Sequence, residues 1–412
     1  MVVQLLGFGS GILLVRVLSK QQYAYFTIGA SMLTMMGTLA DSGITSALSA
    51  IGGRIHDDAR RFGSLVNTAL RLRRVFALVS IGVVMPLLVV MLLKNSAPAG
   101  ETAGIACGIL LAAYFQLAVG VYAIVPRLTL RTRQVQNLDL SAALLRLCLL
   151  VLAWVFFLNA SVAVIIGALT LALQYFLLRR WVVESIDIAA PPSAEYQAGI
   201  VKVVRRQAPN TIYFCLHGQL SIWLISFFGS TSNVAEIGAL GRLGMIFSVL
   251  SSIMAGVVLP RFARCRSPVM LKRRYWQILS GYAAFGAVLI GVAAMFPSEL
   301  LWILGKQYSA LKSEVVLMVV SAVIVAIDVA MYSMTASRGW IVSPWIEIPT
   351  GLVSQIVLLL IIDISTVRGV LLLGIFFAIP HMLVKNWNAM KGMKALAESE
   401  AEESRKSMKR VI

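Results

Sequence analysis

RLRRVFALVSIGVVMPLLVVMLLK, residues 71–94, has three arginines in its first four positions, no charge from Val75 to Leu93, and a lysine at its end. As a helix, that uncharged run rises about 28 Å at about 1.5 Å per residue, close to the ~30 Å of hydrocarbon in a bilayer. A helix of a soluble protein keeps a polar face over such a length, and this one has none. The stretch reads as a membrane span whose arginine-rich end is held at one surface.

The pattern recurs along the chain. Apolar spans are expected at about 1–18, 23–45, 74–93, 103–126, 141–158, 161–178, 210–229, 234–259, 277–296, 315–334, 345–362 and 369–386, which makes twelve. With 59% hydrophobic and 13% charged residues and a mean hydropathy of +0.86, a soluble domain is excluded. The net charge of +18 gathers at span ends, where cations hold topology and meet anionic headgroups, so nucleic acid is not an expected partner. Cys107, Cys148, Cys215 and Cys265 show no CxxC and no spacing for a metal or disulfide. No cleavable signal peptide is read.

Placing the N-terminus inside puts 28 of the 36 cations in cytoplasmic loops and the tail. Six lie outside (Arg16, Lys20, Lys94, Lys306, Lys312, Arg368) and two within spans (Arg146, Arg242). The positive-inside rule rejects the opposite orientation, so both termini are expected in the cytoplasm. The first span starts at Met1 with no basic flank, and the expectation is that residues precede it; a short, tilted or partly inserted helix is the alternative.

The longest cytoplasmic connection, 179–209, holds Pro191 and Pro192 and divides the spans six and six. The expected organisation is an N-terminal lobe 1–178, a linker 179–209, a C-terminal lobe 210–386 and a tail 387–412. RLRRVF at 71–76 against LKRRYW at 271–276, and YAYFTIGA at 23–30 against VAEIGALG at 234–241, are faint signs of duplication. Two parallel repeats of six would be related by a pseudo-two-fold axis along the membrane normal, an all-α arrangement used by rocking-lobe transporters.

Polar residues inside the spans are ordered. Thr27, Ser31, Thr34, Thr38 and Asp41 recur at four, three, four and three, one face of the second span. Asn210, His217 and Ser221 share a face of the seventh, and Ser321, Asp328, Tyr332 and Thr335 one of the tenth. Glu347, Thr350 and Ser354 do so in the eleventh. Hydroxyl stripes also serve as helix-helix glue, so each is weighed against that role. Charges count for more, since one at mid-membrane costs about 2.5–3.5 kcal/mol on the insertion scale. Arg242 lies too deep in the eighth span to reach the interface easily, whereas Arg146 is close enough to its helix end to snorkel. Glu236 and Glu347 are read as solvated near helix ends. Asp41 and Asp328 are the candidate coupling groups, Asp41 as the ion-responsive one and Asp328 as the partner of a cavity arginine.

These residues also carry a resemblance. LLVRVLSKQQYAYFTIGASMLTMMGTLADSGITSALS, residues 13–49, resembles the opening of the polysaccharide biosynthesis membrane proteins, the Wzx-type O-antigen and exopolysaccharide flippases. Arg16, Leu18 and Ser19 match the family's Arg-x-Leu-Ser turn, and Asp41 and Gly43 its Asp-x-Gly; Ala24 stands where the family usually has Gly. GQLSIWLISFFGSTSNVAEIGALGRL at 218–243, VVLPRFAR at 257–264 and LLWILGKQYSAL at 300–311 extend the resemblance over nearly the whole chain. It implies a two-lobed transporter of twelve or fourteen helices in a bacterial inner membrane. The implied cargo is an undecaprenyl-diphosphate-linked oligosaccharide, with polysaccharide polymerase and glycosyltransferases as partners. Arg16 and Arg242 are the expected phosphate contacts, because guanidinium forks suit phosphate oxygens. Thr27, Ser31, Thr34, Thr38, Asn210 and His217 would face the sugar. No nucleotide motif is present, so no cofactor is expected and a proton or sodium gradient is the candidate energy source. A cation-coupled multidrug antiporter of the same fold would use Asp41 and Asp328 instead. A membrane glycosyltransferase or polymerase would need catalytic groups that the outer loop near 297–314 lacks.

Overall fold

A computed structural model describes residues 2–244, 247, 254, 258–265, 267–340 and 342–411. Those residues are almost wholly helical, without strand. In order the helices are α1 (Val2–Val17), α2 (Lys20–Asp41), α3 (Ile44–Gly52), α4 (Ala59–Lys94), α5 (Ala99–Tyr122), α6 (Ile124–Leu128), α7 (Thr132–Phe156) and α8 (Ala160–Ser185). There follow α9 (Ala194–Phe228), α10 (Thr231–Leu243), α11 (Leu259–Ala263), α12 (Pro268–Met295), α13 (Pro297–Leu304), α14 (Lys312–Ala336), α15 (Pro344–Ile361) and α16 (Val367–Val411).

Each expected span falls on a helix, although most of the eighth, 234–259, lies outside the described residues beyond Gly244. Among the described residues, nine helical stretches are long and apolar enough to cross a membrane, and α1 is a shorter apolar helix. The 22-residue α2 has the length but is diluted by its hydroxyl stripe. The chain is a multi-pass membrane protein. Its outer surface agrees: Val79, Val155, Phe156, Leu360 and Ile361 are all more than 60% exposed, as side chains meeting lipid rather than water must be.

Local chemistry explains the motif around α2. Ser19 caps the helix, its hydroxyl accepting from the Gln22 amide at 3.3 Å. At the other end Gly43 takes φ +98°, a left-handed backbone that favours glycine. The matched serine and glycine are therefore the start and stop of this helix.

The chain clusters into two compact units, Met1–Ala239 and Leu240–Ile412. The expected division at 179–209 falls inside the first unit. Only 186–193 of that segment is non-helical, and α9 runs on from Ala194 to pack against α2, α3 and α4. Asn67 of α4 holds the connection by donating to the carbonyls of Ile188 and Ala190, each at 2.7 Å. In the first unit α5 packs on α8, α2 on α4, and α7 on α8 and α1. In the second, α14 packs on α16 and α12, and α15 on α16. The tail from 387 is not a separate element, because α16 continues through it.

Candidate functional site

Two cavities in the first unit and one charge cluster in the second bring together the polar groups of the spans. The first cavity, about 350 Å3, lies among α1, α2, α5, α7 and α8. Its polar lining is Ser10, Asp139, Arg146, Thr170 and Gln174. Asp139 and Arg146 stand two turns apart on one face of α7, and Gln174 of α8 donates to Asp139 Oδ1 at 3.1 Å. The sequence reading assigned Arg146 to the interface as a snorkelling side chain; it lines this cavity instead. Asp139 was not singled out, and its seven-residue spacing from Arg146 was the available signal.

The second cavity, about 370 Å3, is lined by Thr34, Thr38 and Asp41 of α2 with Gln116, Gln207 and Thr211. The hydroxyl stripe of α2 is thereby divided. Thr27 and Ser31 are buried; Thr27 donates to its own Tyr23 carbonyl at 2.8 Å, and Ser31 donates to Gln219 of α9 at 2.6 Å. Ser31 thus ties α2 to α9, and Thr27 satisfies itself on its own helix. Thr34 and Thr38 also donate to carbonyls one turn back, at 2.9 Å each, but their oxygens keep acceptor capacity toward the cavity.

Asp41 is not an isolated carboxylate. It accepts from the Thr45 hydroxyl and amide, and Arg73 Nη2 of α4 lies 3.5 Å away with 7% of its side chain exposed. Gly120 of α5 makes room for that guanidinium, since a Cβ there would collide with it. Arg73 was counted among loop cations because Arg71 and Arg74 flank it; burial separates it from them. Arg73 Nε and Nη1 and Gln116 Oε1 have no hydrogen-bond partner among the described residues.

Of the seventh-span face, Asn210 and His217 are half-buried. His217 stacks on Tyr213 with ring centroids 6.4 Å apart. The cavity takes Gln207 and Thr211 from α9 rather than Asn210 and His217. Arg16 is exposed in the last turn of α1, and Arg242 is half-buried in the last described turn of α10. Glu236, read as solvated, is ion-paired with Lys20 at 2.8 Å.

In the second unit, Lys385 Nζ donates to both oxygens of Asp328, at 2.8 and 2.7 Å, and lies 3.9 Å from Glu347 Oε1. The lysine side chain is 5% exposed and that of Glu347 2%. Lys385 also sits 5.7 Å from the Tyr332 ring centre, and His381, one turn away on α16, is buried. Three helices, α14, α15 and α16, thus converge on one ionic cluster. This corrects two expectations: Asp328 is paired with a lysine and not an arginine, and Glu347 is not solvated. Among the described residues no three or more His, Cys, Asp or Glu side chains gather as a metal site would need.

Solved structures share this fold. A MATE-family multidrug resistance transporter of the MOP superfamily, in an inward-facing conformation, aligns with TM-score 0.75 at 15% identity, over 96% of this chain and 96% of its own. The lipid II flippase MurJ, inward closed, aligns with TM-score 0.68 at 12% identity over 96% and 88%. A MOP superfamily transporter from Pyrococcus furiosus, whose description states that the reverse polarity of its binding pocket suggests a different function, gives TM-score 0.58 at 14% identity over 96% and 92%. No protein-family model and no curated protein sequence matches the chain. The chain has the fold of the MOP-superfamily transporters, multidrug exporters and lipid-linked flippases alike.

Proposed function

We propose that this protein is a transporter that carries a lipid-linked, diphosphate-bearing oligosaccharide, of the undecaprenyl-diphosphate kind, across a bacterial inner membrane. One observation favours this cargo over a cationic drug. Asp41, Asp328 and Glu347, three of the acids that could receive a cation, each lie beside an internal cation, Arg73 or Lys385. Arg73 compensates Asp41, and Lys385 compensates Asp328 while lying 3.9 Å from Glu347. An anionic headgroup meets instead the guanidinium of Arg146 in a cavity with hydroxyl and amide groups, which suits phosphate and sugar together. Arg16 and Arg242 are further candidate phosphate contacts, and Thr34 and Thr38 candidate sugar contacts. The basic loops face the cytoplasm on this reading, and both termini lie there. Asp41 and Asp328 act within their ion pairs, so any proton or sodium coupling works by breaking a pair.

A second reading has its own support: Asp139 shares the cavity with Arg146 and is held by a glutamine rather than a cation, so a cationic drug could use it. Reconstituted protein distinguishes the two. Translocation of a lipid-diphosphate oligosaccharide that is lost in Arg146→Gln and kept in Asp139→Asn upholds the proposal. Efflux of a cationic dye that is lost in Asp139→Asn, with no lipid translocation, replaces it with the antiporter.

A further inference from the structure

At the start of α12 a pocket of about 600 Å3 opens between that helix and α11, lined by Arg261, Arg264, Arg274 and Gln277 above Phe262 and Ile278. Arg274 and Gln277 stand one turn apart on α12, and Arg274 Nη1 leans over α11 toward the Arg261 carbonyl at 3.5 Å. None of the three arginines is ion-paired among the described residues. Holding the loop is the work of a fourth, Arg338, which donates to the carbonyls of Ala263 and Cys265. The three in the pocket have no carboxylate to offset them in view, Arg274 reaching only the Arg261 carbonyl, and like charges lining one pocket repel until an anion joins them. Phe262 is 2% exposed and α12 is a candidate membrane span, so the pocket lies where a headgroup meets hydrocarbon, with charge above and an apolar floor below.

We propose that Arg261, Arg264 and Arg274 form a binding site for the phosphate headgroup of a lipid. Guanidinium forks pair with phosphate oxygens two at a time, and basic pockets at span ends are suited to anionic headgroups. The same chemistry serves a resident phospholipid or an isoprenyl diphosphate arriving as cargo. The site stands whether or not the protein transports an oligosaccharide.

The test is native mass spectrometry of the full-length protein in detergent with phosphatidylglycerol, farnesyl diphosphate or phosphatidylcholine, on wild type and on two triple variants. One is R261Q/R264Q/R274Q and the other R261K/R264K/R274K. Wild type should retain one of the two anionic lipids at least about tenfold better than phosphatidylcholine, since about 1.4 kcal/mol is tenfold. The Gln variant should lose that preference at an unchanged melting temperature, and the Lys variant should keep only part of it. Should the Gln triple variant fail to fold, R274Q alone must lower retention severalfold. Preference for phosphatidylglycerol marks a resident lipid, and preference for farnesyl diphosphate with competition by inorganic diphosphate marks a cargo entry site. Equal retention by wild type and the Gln variant overturns the site, as does full retention by the Lys variant, which would show a diffuse positive surface and no shaped pocket.

Discussion

Replacing Lys385 by methionine keeps the length of the side chain and removes its charge, which isolates what the ammonium does between Asp328 and Glu347. Asp328, whose side chain is 21% exposed, then loses its cation. Breaking a buried pair by removing one partner costs about 3–5 kcal/mol, roughly 4 at the centre of that range. In a unit of this size 1 kcal/mol moves Tm by about 2–4 °C, so Lys385→Met should lower the melting temperature by about 8–16 °C. Scanning fluorimetry on purified protein reads this directly. Lys385→Met with Asp328→Asn should recover most of the loss, because removing both partners of a buried pair is often near neutral. A single variant that melts like wild type, or a double variant no better than the single, refutes the assignment of a tight buried ion pair.

Gly120→Ala should push the Arg73 guanidinium off Asp41 and cost about 1–3 kcal/mol, the usual range for overpacking a buried site; a melting temperature within a degree of wild type contradicts it. Exchanging Lys20 and Glu236 as Lys20→Glu with Glu236→Lys should restore stability lost in either single change, which a double-mutant cycle measures as a coupling of about 0.5–3 kcal/mol for residues in contact. Alkaline phosphatase fused near residues 98, 231 and 305 should be active, and fused after Arg264 silent, if the basic loops are cytoplasmic; the reverse pattern removes the orientation.

The spans were legible because twenty apolar residues in a row have few other uses, and the Ser19 and Gly43 positions marked the ends of α2 correctly. What the sequence hid was pairing. Arg73 sits between two loop arginines in the chain and was counted with them, and Lys385 lies in the last turn of its expected span, beside the tail lysines, and was not singled out. Only the packing of α4 on α2 and α5, and of α16 on α14 and α15, shows that they are buried. The division of the α2 stripe was hidden for a similar reason. A spacing of three and four puts five side chains on one face, but whether that face meets α9 or a cavity changes along its length.

Charge compensation then carries weight for function that composition could not. A carboxylate in hydrocarbon costs several kcal/mol unless something neutralises it, and a transporter of cations can let its cargo do so. Here Arg73 and Lys385 do it, at 3.5 Å from Asp41 and 2.7 Å from Asp328. Each pair costs the protein a chance to bind a cation, and leaves the guanidinium of Arg146 as the charge best placed in the first cavity to meet a ligand. Its neighbour Asp139 offsets part of that charge, so a ligand with a single weak negative group would gain little. A diphosphate offers more charge than Asp139 removes and has oxygens for both the guanidinium fork and the surrounding hydroxyls. On the function proposed above, the cavity suits a cargo with a strongly anionic head attached to something rich in hydrogen-bonding groups.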